Sequence, residues 1–241
     1  MPVSDIHKII FVHIPKTGGT SFEYLFGMHG VLEFIGEKPY LDQKRNYELL
    51  FGGGLQHLTI SEILYILGNR NFSQYQSLPE SKQLIDKVLS KINFSVREKR
   101  IREILSKYYI FTLVRNPYDR LVSYAAWLEN KWSEVRSLER DYFINKVNEI
   151  FERPESLKNK QLIPQFNFIY YKNKCVIHKI YKFEELDSTY TDLLQKFAIS
   201  GNLPHRMKSY HDNFEYYYDD TLKKKVYNFY RKDFELFGYP E

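Results

Sequence analysis

A three-layer α/β fold, with a central and mainly parallel sheet flanked by helices, is what this chain predicts. Two observations carry that expectation. Short apolar runs rich in β-branched and aromatic residues recur at 8–14, 108–114 and 175–183. Each run is followed by a segment whose apolar residues fall at helical spacing, so strands and helices alternate. In such sheets ligands bind at the carboxyl ends of the strands.

Residues 8–14, KIIFVHI, read as a buried strand, because the run is apolar on both faces. The loop PKTGG follows, and Phe22, Leu25 and Phe26 then give one apolar helical face. FGGGLQH, 51–57, reads as a flexible glycine stretch. Thr59-Ile-Ser-Glu62 is a capping box that starts a helix running to Gly68. Residues 79–107 open on Pro79 and read as one or two charged helices. YYIFTLV, 108–114, is the second buried strand. Asn116 has the chemistry of an N-cap with Pro117 at the first helical position, and that helix turns Leu121, Val122, Tyr124 and Ala125 inward. A third strand is expected at CVIHKIYKF, 175–183, and helices at 189–198 and 219–235.

The chain has 241 residues, 43% of them hydrophobic, which suits one domain over 1–241. A formal charge of +5 is compatible with an anionic ligand but selects none. The single cysteine, Cys175, excludes an internal disulfide and fits a reducing compartment. The apolar run IIFV is too short for a signal sequence or a membrane span, so a soluble, cytoplasmic protein without stable membrane insertion is expected. No feature points to a nucleic-acid partner.

PKTGGTSF, 15–22, has the ingredients of an anion cradle. Gly18 and Gly19 let the backbone approach a ligand, and the N–H groups of the turn and of the next helix point at one place. Thr17, Thr20 and Ser21 add hydroxyls, and Lys16 adds a mobile charge at the mouth. A nucleoside triphosphatase loop reads G-x-x-x-x-G-K-[ST], with its lysine entering the helix and a hydroxyl on Mg²⁺. Here the lysine precedes the glycines, and no apolar strand ends in an aspartate for the metal, so a phosphate-type anion handled without metal is expected. A tight turn with a surface lysine is the plain alternative. FTLVRNPYDRLVSY, 111–124, offers a second anion site: Arg115 at a strand end, with Ser123 about two turns into the following helix. Asp119 and Arg120 read as helix-start charges.

Together these segments resemble the sulfotransferases that use 3′-phosphoadenosine 5′-phosphosulfate (PAPS), in particular the family of heparan sulfate 2-O- and 6-O-sulfotransferases and their bacterial relatives. PKTGGTSF resembles their 5′-phosphosulfate loop and VRNPYDRLVS their 3′-phosphate motif. IPQFNFI, YKFEEL, LPHRMKSY and DFELFGY follow in the family's order. The resemblance implies a P-loop-type fold and PAPS as sulfuryl donor, with no metal. It implies phosphosulfate contacts from Lys16, Thr17, Gly18, Gly19, Thr20 and Ser21, and 3′-phosphate contacts from Arg115 and Ser123. Arg206, Lys208 and Ser209 fall where the family closes a loop over the nucleotide. The acceptor it implies is a glycan or another hydroxyl-bearing molecule.

Transfer needs a general base, and His57 in QHLTISEI resembles the family's catalytic histidine. The competing view of His57 is a loop histidine near a helix start. His13 is expected to pack beside the loop, and Lys16 to stabilise the departing oxygen. A helical, charged insertion at about 72–107 departs from the family. Its lysines and arginines are either a solvated face or a basic wall for an acidic glycan. FEYYYDD, 214–220, either stacks on sugar rings or starts a buried helix. A P-loop small-molecule kinase, or a nucleotide-binding relative without catalysis, remains the alternative function.

Overall fold

A computed structural model of the chain describes residues 3–4, 7–26, 55–68, 94–129, 138–153, 155–199 and 211–241. Four strands form the main sheet in the order β1 (Val3–Ser4), β2 (Ile9–Val12), β3 (Tyr109–Val114), β6 (Lys179–Lys182). The last three run parallel, with Ile10 opposite Ile110 and Thr112 opposite Ile180, while β1 adds antiparallel to β2. β2 is buried along its whole length, as a strand covered on both faces must be.

The pleat divides these strands between two cores. Ile10, Val12, Ile110 and Val114 pack on one face with α2 (Ile60–Gly68) and α3 (Phe94–Lys107). Ile9, Phe11, Phe111 and Leu113 pack on the other with Phe22 and Phe26 of the α1 region (Gly19–Leu25) and with Leu193 of the helix Leu186–Phe197. Burying each such side chain contributes about 1.5–3 kcal/mol. The result is the three-layer arrangement that the sequence predicts. A third core joins α4 (Pro117–Glu129), α5 (Arg140–Glu152) and the C-terminal helix Asp220–Phe237 through Leu121, Val122, Phe143, Val226 and Phe234. In chain order the last two long helices are α6 (Leu186–Phe197) and α7 (Asp220–Phe237).

Local chemistry sets the boundaries. The Thr59 N–H donates to Glu62 Oε2 at 2.7 Å and the Glu62 N–H donates to Thr59 Oγ1 at 3.3 Å, closing the capping box of α2. Asn116 Oδ1 accepts from the Tyr118 N–H at 2.9 Å, so α4 begins at Pro117 as expected. Gly68 lets α3 approach α2, since a β-carbon there would lie 3.0 Å from Arg97 and 3.1 Å from Ile101.

Three expectations change. The third strand is shorter than its apolar run: Lys174–Cys175 is β5, paired with β4 (Tyr170–Tyr171) in a hairpin turned by Lys172 and Asn173, both left-handed. His178 then extends the sheet with its side chain, its Nδ1 accepting the Ile110 N–H at 3.0 Å. α5 has no counterpart in the sequence reading. FEYYYDD forms a short 3₁₀ turn, Phe214–Tyr217, in which Tyr217 is buried and the Tyr218 hydroxyl donates to the Tyr118 carbonyl. Tyr217 is therefore core with Phe214 and Tyr218 packed beside it, while Glu215, Tyr216, Asp219 and Asp220 are exposed. Of the charged insertion, α3 is described; Ile101 is buried against α2 while Lys99 and Arg102 face solvent. Its earlier part, 72–93, lies outside the described residues. Among the described residues no helix is long and apolar enough to cross a membrane.

Candidate active site

The loop after β2 is built on strained backbone. Lys16 (φ 66°) and Gly18 (φ 77°) are both left-handed, and for lysine that geometry costs about 1–2 kcal/mol. Two arginines from the next strand–helix unit hold it. Arg120 Nε donates to the Pro15 carbonyl at 3.0 Å, and Arg115 Nη1 donates to the Lys16 carbonyl at 3.2 Å. Gly19 admits no side chain, because a β-carbon would lie 2.3 Å from the His13 ring. At Gly18 it would meet Phe183 at 2.9 Å. The Thr17 side chain is fully buried and its hydroxyl donates to the Ile14 carbonyl at 2.8 Å. Thr17 therefore has only its backbone N–H to offer a ligand. Thr20 is half-buried, Ser21 is buried on α1, and Ser123 is buried on α4.

Arg115 lies at the carboxyl end of β3, beside the loop. Its guanidinium rests 4.0 Å from the centre of the Phe183 ring, and Nε donates to Asp119 Oδ2 at 2.7 Å. Nη2 lies 3.5 Å from Nε2 of His211. Lys16 is half-buried, with its ammonium 5.5 Å from the centre of the Trp127 ring. Burial, then the Arg115 charge, lower its pKa from 10.5 to about 8. Among the described residues no carboxylate pairs with Lys16.

His57 reaches this cluster from the 3₁₀ turn Leu55–His57. Its Nδ1 donates to the His13 carbonyl at 3.1 Å, and its ring meets the His13 ring edge-on at 4.6 Å. A carbonyl only accepts, so Nδ1 carries the proton and Nε2 keeps a free lone pair. Burial first, then His13, lowers its pKa to about 3, with Arg120 and Lys16 adding to the effect. His57 is thus neutral at physiological pH in the tautomer a proton acceptor needs. His13 itself is buried and donates from Nδ1 to Glu23 Oε1 at 2.8 Å.

Arg206, Lys208 and Ser209 lie outside the described residues. Glu62 is taken up by its cap and by Lys160, whose ammonium donates to Glu62 Oε1 at 2.7 Å.

The residues that sequence reasoning missed buttress Arg115 and the loop. Arg120 is not a helix-start charge. It is buried, and besides Pro15 it donates to the carbonyls of Ile163 (3.1 Å) and Gln161 (2.9 Å). Gln165 brackets Arg115: its Oε1 accepts the Arg115 N–H at 2.9 Å and its Nε2 donates to the Arg115 carbonyl at 2.8 Å. Asp233 accepts from the N–H groups of Gln165 and Phe166 at 2.7 and 2.9 Å. Glu184 accepts the Asn116 N–H at 2.8 Å and the Tyr239 hydroxyl at 2.9 Å. Gln165, Glu184 and Asp233 stand in IPQFNFI, YKFEEL and DFELFGY. Those motifs were the available signal, and their shared physical task is to fix the RNP turn.

Arg120→Ala is expected to destabilise the fold by about 3 kcal/mol or more, because three carbonyls lose a charged donor. Arg120→Lys will recover little, since one ammonium cannot reproduce the fork. Denaturant midpoints of the two variants check this.

A glycine loop after one parallel strand and an arginine at the end of its neighbour define a class, the α/β proteins that take up an anion at the carboxyl ends of their strands. The chain belongs to the sulfotransferase family: the family model described as "Sulfotransferase family" matches residues 1–240. It is a sulfotransferase, a P-loop-like enzyme that moves a sulfuryl group to a hydroxyl-bearing acceptor. No curated protein and no solved structure matches the chain.

Proposed function

We propose that the donor is PAPS and that the acceptor hydroxyl belongs to a carbohydrate. One observation carries the donor assignment. Lys16 and Arg115 are held side by side, against their mutual repulsion, at the ends of β2 and β3. A polyanionic ligand relieves that repulsion, and a nucleotide with phosphates at both ends matches two cation sites better than a single phosphate does. Gly18 and Gly19 carry no side chain where the Phe183 and His13 rings close on the loop, which supports a cradle lined by backbone N–H groups.

When bound, PAPS supplies an electrophilic sulfuryl group and a phosphate leaving group. Lys16, with the N–H groups of Gly18, Gly19, Thr20 and Ser21, holds the 5′ end and stabilises the charge that grows on the departing oxygen. Arg115 and Ser123 hold the 3′-phosphate through Nη2 and the hydroxyl; Asp119, the Lys16 carbonyl and Phe183 fix the guanidinium for that contact. His57 takes the acceptor's proton on Nε2 as the oxygen–sulfur bond forms. Arg206, Lys208 and Ser209 join the nucleotide contacts by the family resemblance. The carbohydrate reading rests on the resemblance to the heparan sulfate enzymes and on the net charge of +5.

Calorimetry with 3′-phosphoadenosine 5′-phosphate (PAP) and with ATP, each with and without Mg²⁺, tests the donor. Metal-independent PAP binding is expected; ATP binding that needs Mg²⁺ would favour the kinase alternative. A radiolabelled-sulfate screen over glycans tests the acceptor. Arg115→Ala should weaken PAP binding by about 1.5–3 kcal/mol, the loss of a charged hydrogen-bond donor, as read in the same calorimeter.

A further inference from the structure

We propose that Glu23 is the positioning residue for the base, its one carboxylate clasping both segments that present His57. This rests on the reading of His57 as the base. Glu23 stands on α1, one helical turn past the donor loop, and is 1% exposed. Its Oε1 accepts from His13 Nδ1 at 2.8 Å and its Oε2 accepts from Gln56 Nε2 at 2.9 Å. His13 is the residue whose carbonyl receives His57 Nδ1–H, and Gln56 precedes His57 in the 3₁₀ turn. The two oxygens therefore tie down the acceptor of the histidine's hydrogen bond and the backbone that carries its ring.

A carboxylate this deeply buried is unfavourable unless its oxygens are satisfied, and neither donor here is a permanent cation. Both hydrogen bonds are needed, so the clasp is rigid. The His13 ring cannot retreat either, because its other edge abuts Gly19. Glu23 thus links the donor loop to the base: α1 carries the loop's Gly19 at its start and the clasp within it. The groups facing His57 are His13 and Lys16 from the segment after β2, and Arg120 from α4. None of them fixes the ring's rotation as the His13 carbonyl does. Without Glu23, His13 and Gln56 are both released, and His57 can turn toward water and ionise like an ordinary histidine.

The test compares Glu23→Ala and Glu23→Gln in the full chain. Alanine should lower kcat about tenfold or more while the Kd for PAP stays within about threefold, since no nucleotide contact is lost. In an NMR titration, the parent His57 ring should remain neutral from about pH 5 to 8; in Glu23→Ala it should titrate near its ordinary value of about 6.5. Glutamine keeps the shape and can satisfy both partners once the Gln56 amide turns over, so most turnover should return and His57 should again be silent. The proposal is overturned by a Glu23→Ala protein with parental kcat and a silent His57. It is equally overturned if turnover, PAP binding and folded fraction all fall together with no new titration. His57→Ala run alongside separates the two readings. An active His57→Ala enzyme removes the base assignment, whereas the titration still reports whether Glu23 holds the ring.

Discussion

Lys16→Ala is expected to lower kcat by about 10²–10³-fold, the usual loss when one preorganised donor to a developing oxyanion is removed. PAP affinity should fall far less, because Arg115 and the backbone N–H groups of the loop remain. The split arises from where charge builds. In the ground state the 5′-phosphate already shares its charge with several donors; as the sulfuryl group departs, the bridging oxygen gains charge, and the ammonium at the mouth of the loop answers it.

Lys16 also gives the reaction a pH signature. Burial and Arg115 bring its pKa from 10.5 to about 8 in the free protein. The protonated form is the useful one, so kcat/KM for the donor should decline as pH rises through about 8, and Lys16→Ala should lack that alkaline limb. The stability effect runs the other way. Between about 8 and 10.5 the unfolded chain binds more protons at this residue than the folded one, so its contribution favours folding increasingly as pH rises across that window.

His57→Ala should reduce transfer by about 10²–10⁴-fold, the range that a positioned general base supplies, with PAP binding unchanged. The His13 carbonyl fixes the productive tautomer, and the low pKa keeps the ring neutral without a histidine-type acid limb near 6.5. A pKa of about 3 is weak for a base in the free enzyme. Anionic donor beside the ring favours its protonated form and moves that value upward when it is needed. Single-turnover assays of sulfate transfer with saturating donor, alongside PAP calorimetry, separate the two effects. In stability, the unfolded chain binds more protons at this residue between about 6.5 and 3, so the fold loses stability here as pH falls through that window.

Much of this fold is legible in the sequence because several of its elements announce themselves locally. The IIFV and YIFTLV strands are apolar on both faces, the Thr59–Glu62 box closes as its spacing predicts, and Asn116-Pro117 starts its helix. β1 and the hairpin at 170–175 were not legible: a two-residue strand has no periodicity, and the turn at Lys172-Asn173 has no glycine to mark it. α5 was missed because its apolar residues are sparse among charges, although Phe143, Val147 and Ile150 do lie on one buried face.

The gathering of Lys16 and Arg115 follows from strand order, since loops after adjacent parallel strands share one end of the sheet, and His57 joins them through its hydrogen bond to the His13 carbonyl. The supports were hidden for the opposite reason. Arg120, Gln165 and Asp233 act on backbone groups far away in sequence, and nothing in a local pattern distinguishes an arginine that feeds three carbonyls from one that faces water.

The most direct measurement is the crystal structure of the protein with PAP. The 5′-phosphate is expected on the 16–21 loop within reach of the Lys16 ammonium, the 3′-phosphate on Arg115, and His57 Nε2 facing the space where the sulfuryl group would sit. A nucleotide bound elsewhere, or one with Lys16 and Arg115 turned away from it, would show that these two cations do not form the donor site.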